Sequence, residues 1–235
     1  RTYSEYNYLR PGLVTRLKTQ HFELALRFAE PYFHQYNAID IGCADGPFLP
    51  SLAKYFRHVV GIDNNAGFLE TAGVLCRKLA LDNVQLICNA GLNIEAVGAQ
   101  LDGREFNVMF LLETLEHIGT SQNMYGSKAE FLREMASLLA GDARIIISVP
   151  KMVGAGFLLQ RLGLAALGMY RQPISFTDLM KATFLLNTDS LGEKWEGKHL
   201  GFNHRKLEHV LRRDFRILKK KHLMFQVMYV LMKQA

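Results

Sequence analysis

The sequence has few cysteines, and its first residues do not have the pattern of a secretory signal. Both observations bear on the compartment and on the kinds of site to expect. Its 235 residues include three cysteines, Cys43, Cys76 and Cys88, which are widely spaced and lie in apolar stretches. An odd, scattered set of this kind argues against a disulfide framework and against a metal cluster. The N-terminal residues RTYSEYNYLRPG lack the apolar core of a signal peptide. We therefore expect a cytoplasmic protein in a reducing compartment.

Internal repeats and low-complexity tracts are also absent, and the composition, 49% hydrophobic and 21% charged, is that of an ordinary globular protein. The formal net charge of +6 raises the question of nucleic-acid binding. Much of the positive excess lies in residues 204–222, where basic residues alternate with apolar ones such as Leu207 and Leu211. This pattern predicts a solvated basic face on a packed helix and strand, with contact to an anionic substrate or a membrane surface as the alternative.

Between residues 38 and 150 strand-like and helix-like segments alternate. The short apolar runs that predict strands are AIDIG, HVVGID, NVQLIC, NVMFLL and ARIIISVP. Alternation of this kind predicts an α/β fold, with a parallel sheet covered by helices on both faces. Near the C-terminus, FRILKKK and FQVMYVLMK predict two more strands, which a short turn makes antiparallel.

Two helices have predicted boundaries. A helix over Lys128–Leu139 is expected because Ser127 and Glu130 have capping-box spacing, and Gly141 should end it. Asn203 should cap the next helix, HRKLEHVLRRDF.

The connection between Pro150 and Asn203 is much longer than the usual loop between a strand and a helix. Residues 152–170 are nearly all apolar, but Arg161 and several glycines argue against a membrane span. We expect a buried cap helix here, and a deformable lid that admits a lipid-like molecule or rests on a membrane surface remains open. The expected layout is a single domain over 1–235, composed of N-terminal helices (1–36), a core (37–150), a cap or lid (151–202), and a last helix with the terminal strand pair (203–235).

The stretch AIDIGCADGPF, residues 38–48, runs from a strand through small residues into a helix. Such a loop places backbone N–H groups at the carboxyl edge of a sheet, where α/β folds bind ligands, although a turn built only for packing has the same composition. The loop lacks both the GxGxxG of dinucleotide sites and the GK[ST] of phosphate loops. The second strand ends in Asp63, whose carboxylate can accept both hydroxyls of a ribose. The pattern therefore indicates a ligand that contains a ribose and does not require a diphosphate-binding loop.

From Ala38 to Pro150 the sequence resembles the class I S-adenosylmethionine-dependent methyltransferases, in particular the small-molecule type with a DxGCGxG loop. The motifs that carry the resemblance are DIGCADG, GIDNN, CNAG, FNVMFLLETLEHI and LLAGDARIIISVP, in the family's order. The resemblance implies a Rossmann-like, seven-stranded, mostly parallel sheet with an antiparallel last strand and helices on both faces. It implies S-adenosylmethionine as cofactor and S-adenosylhomocysteine as product. Because no metal-ligand spacing is present, we expect no metal. The positions that match the family's cofactor site are Asp40, Gly42, Cys43, Ala44, Gly46, Asp63, Asn64, Asn89, Ala90, Leu111, Leu112 and Glu113.

Two positions depart from the family pattern. Ala44 replaces a glycine, which matters only if this residue needs a positive φ. Asn89 replaces the usual aspartate, and its side-chain carbonyl can still accept a hydrogen bond from an adenine amino group. We expect cofactor binding to be retained with reduced affinity.

Three residues are candidates for catalysis. In this family a nucleophile of the acceptor displaces the sulfonium methyl directly, so the protein mainly aligns the two reactants. A base is needed only when the acceptor arrives protonated. His117 is the first candidate, because the resemblance places it near the cofactor methyl and its unperturbed pKa suits proton transfer near neutrality. Glu116 and His199 are the other candidates, and the alternative is that all three only hold their loops.

The sequence lacks the [DNS]PP[YF] segment of methyltransferases that act on nucleic-acid bases, so no nucleic-acid partner is expected. We predict a methyltransferase that acts on an O, N or C nucleophile of a small-molecule or lipid-like acceptor, with a peripheral membrane contact through residues 152–170 left open. One alternative is a non-catalytic S-adenosylmethionine-binding or scaffold protein, which Ala44 and Asn89 keep open. The other is a dinucleotide-dependent oxidoreductase, which the loop spacing disfavours.

Overall fold

The structure is a computed structural model that describes residues 4–5, 13–90, 94–166, 173–193 and 199–234. Its centre is one seven-stranded sheet. The strands are β1 (Ala38–Ile41), β2 (Val59–Asp63), β3 (Val84–Cys88), β4 (Phe106–Leu112), β5 (Leu139–Pro150), β6 (Phe215–His222) and β7 (Gln226–Lys233). The α-helices are α1 (Leu13–Ala29), α2 (Leu49–Tyr55), α3 (Ala66–Lys78), α4 (Ile94–Gln100), α5 (Met124–Ser137), α6 (Ala155–Ala166), α7 (Phe176–Met180), α8 (Asp189–Gly192) and α9 (His204–Asp214). Short 3-10 turns cover Glu30–Tyr32 and Leu115–His117, and a π-helical turn covers Lys181–Leu185.

The strand order is β3-β2-β1-β4-β5-β7-β6, and β7 pairs antiparallel with both of its neighbours while the other pairs are parallel. The predicted fold class, a mostly parallel seven-stranded sheet with an antiparallel last strand, is therefore confirmed. The direction of winding reverses between β1 and β4. In open α/β sheets this reversal opens a crevice at the carboxyl ends of the strands, where ligands bind.

Each face of the sheet carries its own hydrophobic core. On one face, Leu52 of α2 and Ala72 of α3 pack with residues of α1 against β1 and β4. On the other, Phe131 of α5 and Leu211 of α9 pack with residues of α4. Both faces are covered, so a central strand such as β4 is apolar along nearly its whole length, as parallel strands usually are.

The predicted start and end of α5 were wrong. The helix begins at Met124, and the Ser127 N–H already donates to the Asn123 carbonyl at 2.9 Å, so Ser127 cannot act as the cap. Gly141 lies within β5 instead of ending the helix. Lys128, predicted in the first turn, is fully buried and its ammonium donates to the Ile118 carbonyl. The predicted cap at Asn203 is confirmed, because its side chain accepts a hydrogen bond from Arg205 N at 3.0 Å.

The insert after β5 contains α6, α7, the π-helical turn and α8, and part of it (167–172 and 194–198) lies outside the described residues. Met152, Phe157 and Ala182 form its own small hydrophobic cluster. On α6, Arg161 is buried whereas Leu159 and Leu162 are exposed, so the helix is not buried on all sides. Among the described residues, no helix combines the length and apolar character needed to cross a bilayer.

Candidate active site

The glycine-rich loop after β1 turns sharply at alternate residues. Gly42, Ala44 and Gly46 have φ angles of 76°, 49° and 84°. A Cβ added at Gly42 would lie 2.3 Å from Thr114 Oγ1, so only glycine permits this close approach of the β4 loop. Ala44 does adopt a positive φ, which was the condition under which the replacement of glycine matters. The loop is thus strained at one non-glycine residue.

Asp63, at the end of β2, joins this loop to the next one. Its Oδ2 accepts a hydrogen bond from Ala44 N at 2.9 Å, and its Oδ1 accepts one from Asn65 N at 2.9 Å. Asn65 in turn caps α3, because its side chain accepts from Gly67 N and Phe68 N. A carboxylate has about four acceptor positions, so both oxygens can still accept hydrogen bonds from a ligand.

A cavity of about 300 Å³ opens at these strand ends. The predicted site residues that line it are Gly42, Ala44, Asp63, Asn64, Asn89, Glu113 and His117. The residues that line it without having been predicted are Ile41, Ile62, Phe68, Thr114, Ile118 and Phe131. Ile41, Ile62 and Thr114 adjoin predicted residues in the chain, so strand ends were a usable signal for them. Phe68 and Phe131 come from helices, and no local pattern marked them.

The other predicted cofactor residues do not line the cavity. Asp40, Cys43 and Leu111 are buried beneath it, and the remaining ones are Gly46, Ala90 and Leu112. Burial, with the nearby Asp63 carboxylate adding to it, raises the pKa of Asp40 to about 7. Burial also raises the pKa of the Cys43 thiol, so it stays protonated and unreactive. Asp40, Cys43 and Leu111 are thus buried side chains that do not form the cavity surface, whereas Ala90 is exposed.

Glu113, which follows β4, also lines the cavity and has a φ of 56°, so it is the second non-glycine lining residue in the left-handed region. Its backbone N–H donates to the Ser148 carbonyl, and Ser148 Oγ donates to its Oε1 at 3.0 Å. Desolvation raises the pKa of Glu113 to about 7, while the hydrogen bonds from Ser148 and Gln226 oppose that rise. The carboxyl therefore titrates near neutral pH at the cavity wall.

The three predicted catalytic residues lie together. His117 Nε2 is 3.2 Å from His199 Nε2, and Glu116 Oε1 is 3.8 Å from the first and 3.6 Å from the second. Glu116 is fully buried, whereas both imidazoles are partly exposed. Of the three, only His117 lines the cavity, so the other two stand behind it.

His199 is brought to this position by a turn that ends the insert. Phe202 N donates to the His199 carbonyl, and Asn203 N donates to Tyr125 Oη at 2.9 Å, which fixes the turn to α5. Gly201 has a φ of 97°, and an added Cβ would lie 2.7 Å from the Leu191 carbonyl oxygen. Desolvation lowers the pKa of His199 to about 4, and the nearby positive charges of the site add to the shift. Its imidazole is therefore neutral at physiological pH.

The comparisons with known proteins agree with this geometry. A family model described as a methyltransferase domain matches residues 33–195, more than half of the chain. A comparison with curated proteins finds no match.

Solved structures share the fold at low sequence identity. The PH0226 protein of Pyrococcus horikoshii OT3 superposes with a TM-score of 0.67 at 14% identity, covering 99% of this chain and 96% of that one. A S-adenosylmethionine-dependent methyltransferase of Clostridium acetobutylicum ATCC 824 gives 0.62 at 12% identity, covering 99% and 96%. The magnesium protoporphyrin IX methyltransferase of Synechocystis PCC 6803, solved with bound SAH, gives 0.60 at 14% identity, covering 96% and 89%. The chain therefore belongs to the methyltransferase-domain family, and its fold is that of the class I S-adenosylmethionine-dependent enzymes.

Proposed function

We propose that this protein binds S-adenosylmethionine in the cavity and transfers its methyl group to an O, N or C nucleophile of a small or lipid-like acceptor. The observation that carries the proposal is the set of residues that line this one cavity. The glycine-rich loop, the Asp63 carboxylate and His117 all face the same 300 Å³ space at the point where the strand order reverses.

The hydrogen bonding of the loop favours this cofactor over a dinucleotide. The N–H groups of Gly42 and Cys43 donate to Ile62 O, that of Gly46 donates to Cys43 O, and that of Ala44 donates to Asp63. These four donors are occupied within the protein and are not offered to a pyrophosphate. The acceptor on the cavity wall, Asp63, instead suits the hydroxyl groups of a ribose.

The part of the cavity beside Glu113 suits a cationic ligand. Glu113 lies there with a pKa of about 7, and a positive sulfonium or ammonium group beside it would favour its ionised form. Proton release on binding is therefore expected, and it should be larger for S-adenosylmethionine than for the uncharged sulfur of S-adenosylhomocysteine.

Activation of the acceptor is assigned to the cluster of Glu116, His117 and His199. Its His117 lines the cavity, and the neighbouring His199 imidazole is neutral and able to accept or share a proton. In the transfer, the acceptor atom forms a bond to the methyl carbon, the bond from that carbon to sulfur breaks, and its electron pair stays on sulfur. A proton lost by the acceptor must leave through this cluster or to water.

A lipid-like acceptor is supported by the surface of the insert. Five large apolar side chains there are between 56% and 77% exposed, namely Leu159, Leu162, Phe176, Phe184 and Leu185. The same insert ends at His199, which contacts His117 on the cavity wall. Apolar side chains exposed on an element that leads to the cavity are expected where a hydrophobic acceptor, or the membrane that holds it, is met.

Calorimetry and turnover test the proposal. The protein is titrated with S-adenosylmethionine, S-adenosylhomocysteine and NAD, and S-adenosylhomocysteine release is then measured with phenol, amine and lipid acceptors. Binding of the sulfonium ligand with proton release, and turnover with at least one acceptor, is the expected result. Binding of NAD alone would contradict the cofactor, and binding without turnover on any acceptor class would favour the scaffold alternative.

The membrane contact has a separate test. Co-sedimentation with phosphatidylcholine vesicles, with and without phosphatidylserine, compares the wild type with Phe176→Ser/Phe184→Ser and with the control Val74→Ser, which lies on α3. Burying a phenylalanine side chain contributes about 1.5–3 kcal/mol, so the double variant should lose at least roughly tenfold in vesicle binding. Equal binding by the double variant and the wild type would contradict the contact.

A further inference from the structure

The Glu116–His117–His199 cluster has the dimensions of a metal site. Its three ligand atoms, Glu116 Oε1 and the two Nε2 atoms, are separated by 3.2, 3.6 and 3.8 Å. Atoms at these separations lie on a circle with a radius of roughly 2 Å, which matches bonds of about 2.0–2.2 Å from zinc to imidazole nitrogen or carboxylate oxygen. An ion at the centre of the triangle would reach all three without any movement of the backbone.

A second observation favours cation binding at the same place. The Glu116 side chain is fully buried, and neither of its oxygens accepts a hydrogen bond within the described part of the chain. Its own backbone N–H approaches the carboxylate without reaching hydrogen-bond geometry. Burying a carboxylate without donors is costly, and buried charges in proteins are paired or coordinate metals.

The nearest alternatives account for less of this arrangement. Lys128 interacts electrostatically with Glu116 and its ammonium donates to the Ile118 carbonyl, but neither Glu116 oxygen accepts a hydrogen bond from it. An N–H···N hydrogen bond between the two imidazoles would explain their 3.2 Å separation, yet it would leave both Glu116 oxygens without a partner.

We propose that Glu116, His117 and His199 bind a divalent transition-metal ion of the Zn²⁺ type. Two imidazoles and one carboxylate are a known ligand set for zinc and leave a fourth position open for water or substrate. His117 also lines the cavity, so the proposed ion would lie beside the proposed methyl-transfer site. This proposal departs from the expectation of no metal, which was drawn from ligand spacing in the sequence, because His117 and His199 are 82 residues apart and meet only in the fold.

The inference rests on the proposed function in one respect, the role of the open position. An acceptor hydroxyl bound there would lose its proton to water more readily, because a metal ion lowers the pKa of a coordinated oxygen. The resulting alkoxide or phenoxide would attack the sulfonium methyl, and the metal would remain unchanged in oxidation state. Coordination to the metal would then promote loss of the acceptor proton, in place of the base role predicted for His117.

Metal binding is tested directly, without turnover. Protein made without a polyhistidine tag is stripped with a chelator and titrated with Co²⁺, followed by the visible d–d absorption, and then with Zn²⁺ in competition. One Co²⁺ per chain, displaced by Zn²⁺, is expected. Glu116→Gln and His199→Ala should each weaken binding by more than about 100-fold, since even residues behind the ligands contribute 10–100-fold. The control His209→Ala, on the exposed side of α9, should bind as the wild type does.

Two further measurements keep the result interpretable. Thermal unfolding of each variant shows whether it folds. Glu116→Gln keeps the shape of the side chain, so a loss of Co²⁺ binding by this variant would not be caused by a packing defect. Calorimetry with S-adenosylmethionine on the metal-stripped protein reports the cofactor site separately. Absence of Co²⁺ binding at millimolar concentration, or binding that the folded variants leave unchanged, would overturn the metal site even if the cofactor still binds.

Discussion

Replacing Asp63 with alanine is expected to weaken S-adenosylmethionine binding by about two orders of magnitude. Each Asp63 oxygen accepts one backbone hydrogen bond at 2.9 Å and retains capacity for one ribose hydroxyl. A hydrogen bond to a charged group contributes about 1.5–3 kcal/mol, so the loss of two costs at least about 3 kcal/mol. At 1.36 kcal/mol for each tenfold change, this corresponds to roughly 150-fold.

The comparison with Asp63→Asn separates the ribose contact from the support of the loop. The amide keeps one acceptor oxygen, so it can retain the hydrogen bond from Ala44 N and lose the charge. We expect this variant to bind about tenfold more weakly than the wild type. Asp82→Asn, an exposed carboxylate before β3, is the matched control and should bind normally. Calorimetry measures affinity and thermal unfolding checks the fold.

A specific result would refute the assignment of Asp63. If Asp63→Ala unfolds at the wild-type temperature and binds S-adenosylmethionine within about threefold of the wild type, the ribose does not lie against this carboxylate. If the variant instead unfolds, Asp63→Asn decides the matter, because it preserves the size of the side chain.

Three other changes give predictions from the same structure. Gly42→Ala should lower the free energy of unfolding by about 1–3 kcal/mol and abolish cofactor binding, because its Cβ would overlap the Thr114 side chain in a left-handed turn. The control Gly141→Ala, whose Cβ would have nothing within 4 Å, should be tolerated, and chemical denaturation measures both variants. Gly201→Ala should move His199 and so reduce turnover more than S-adenosylmethionine affinity, which calorimetry beside an activity assay would show. Asp40 has a raised pKa of about 7, so the native state binds its proton more tightly than the unfolded chain and stability falls as pH rises from about 4 to 7. Asp40→Asn should flatten that fall, and an unchanged pH profile of unfolding would contradict the raised pKa.

Much of the fold could be predicted from local patterns. Five apolar runs separated by helical segments predicted the parallel strands, since a strand buried on both faces has an almost continuous apolar sequence. The short link between β6 and β7 predicted their antiparallel pairing. The start of α5 could not be found in this way, because the capping-box spacing at Ser127 also occurs inside a helix. Only the hydrogen bond of its N–H to Asn123 distinguishes the two cases.

The candidate site was predictable where it follows strand ends and unpredictable where it depends on tertiary packing. Gly42 and Asp63 lie at the ends of adjacent parallel strands, which must meet at one edge of the sheet. The position of His117 near the same edge was predictable in the same way, because it follows the carboxyl end of β4. The contact with His199 depends on how a long insert folds back, and no spacing in the sequence encodes that distance.

Backbone strain in the residues that line the cavity bears on whether alanine at position 44 prevents cofactor binding. Ala44 and Glu113 both line the cavity and are held at positive φ, and such residues persist only where the surrounding structure fixes them. Ala44 is fixed by its hydrogen bond to Asp63, and Glu113 by its hydrogen bonds to Ser148. An alanine in the left-handed region costs about 1–2 kcal/mol, whereas a hydrogen bond to a charged group such as the Asp63 carboxylate contributes about 1.5–3 kcal/mol. The hydrogen bond from Ala44 N to Asp63 can therefore offset the strain of the loop. Replacement of glycine by alanine at this position is therefore compatible with the loop conformation that a ribose-bearing cofactor needs, and it does not favour the scaffold alternative.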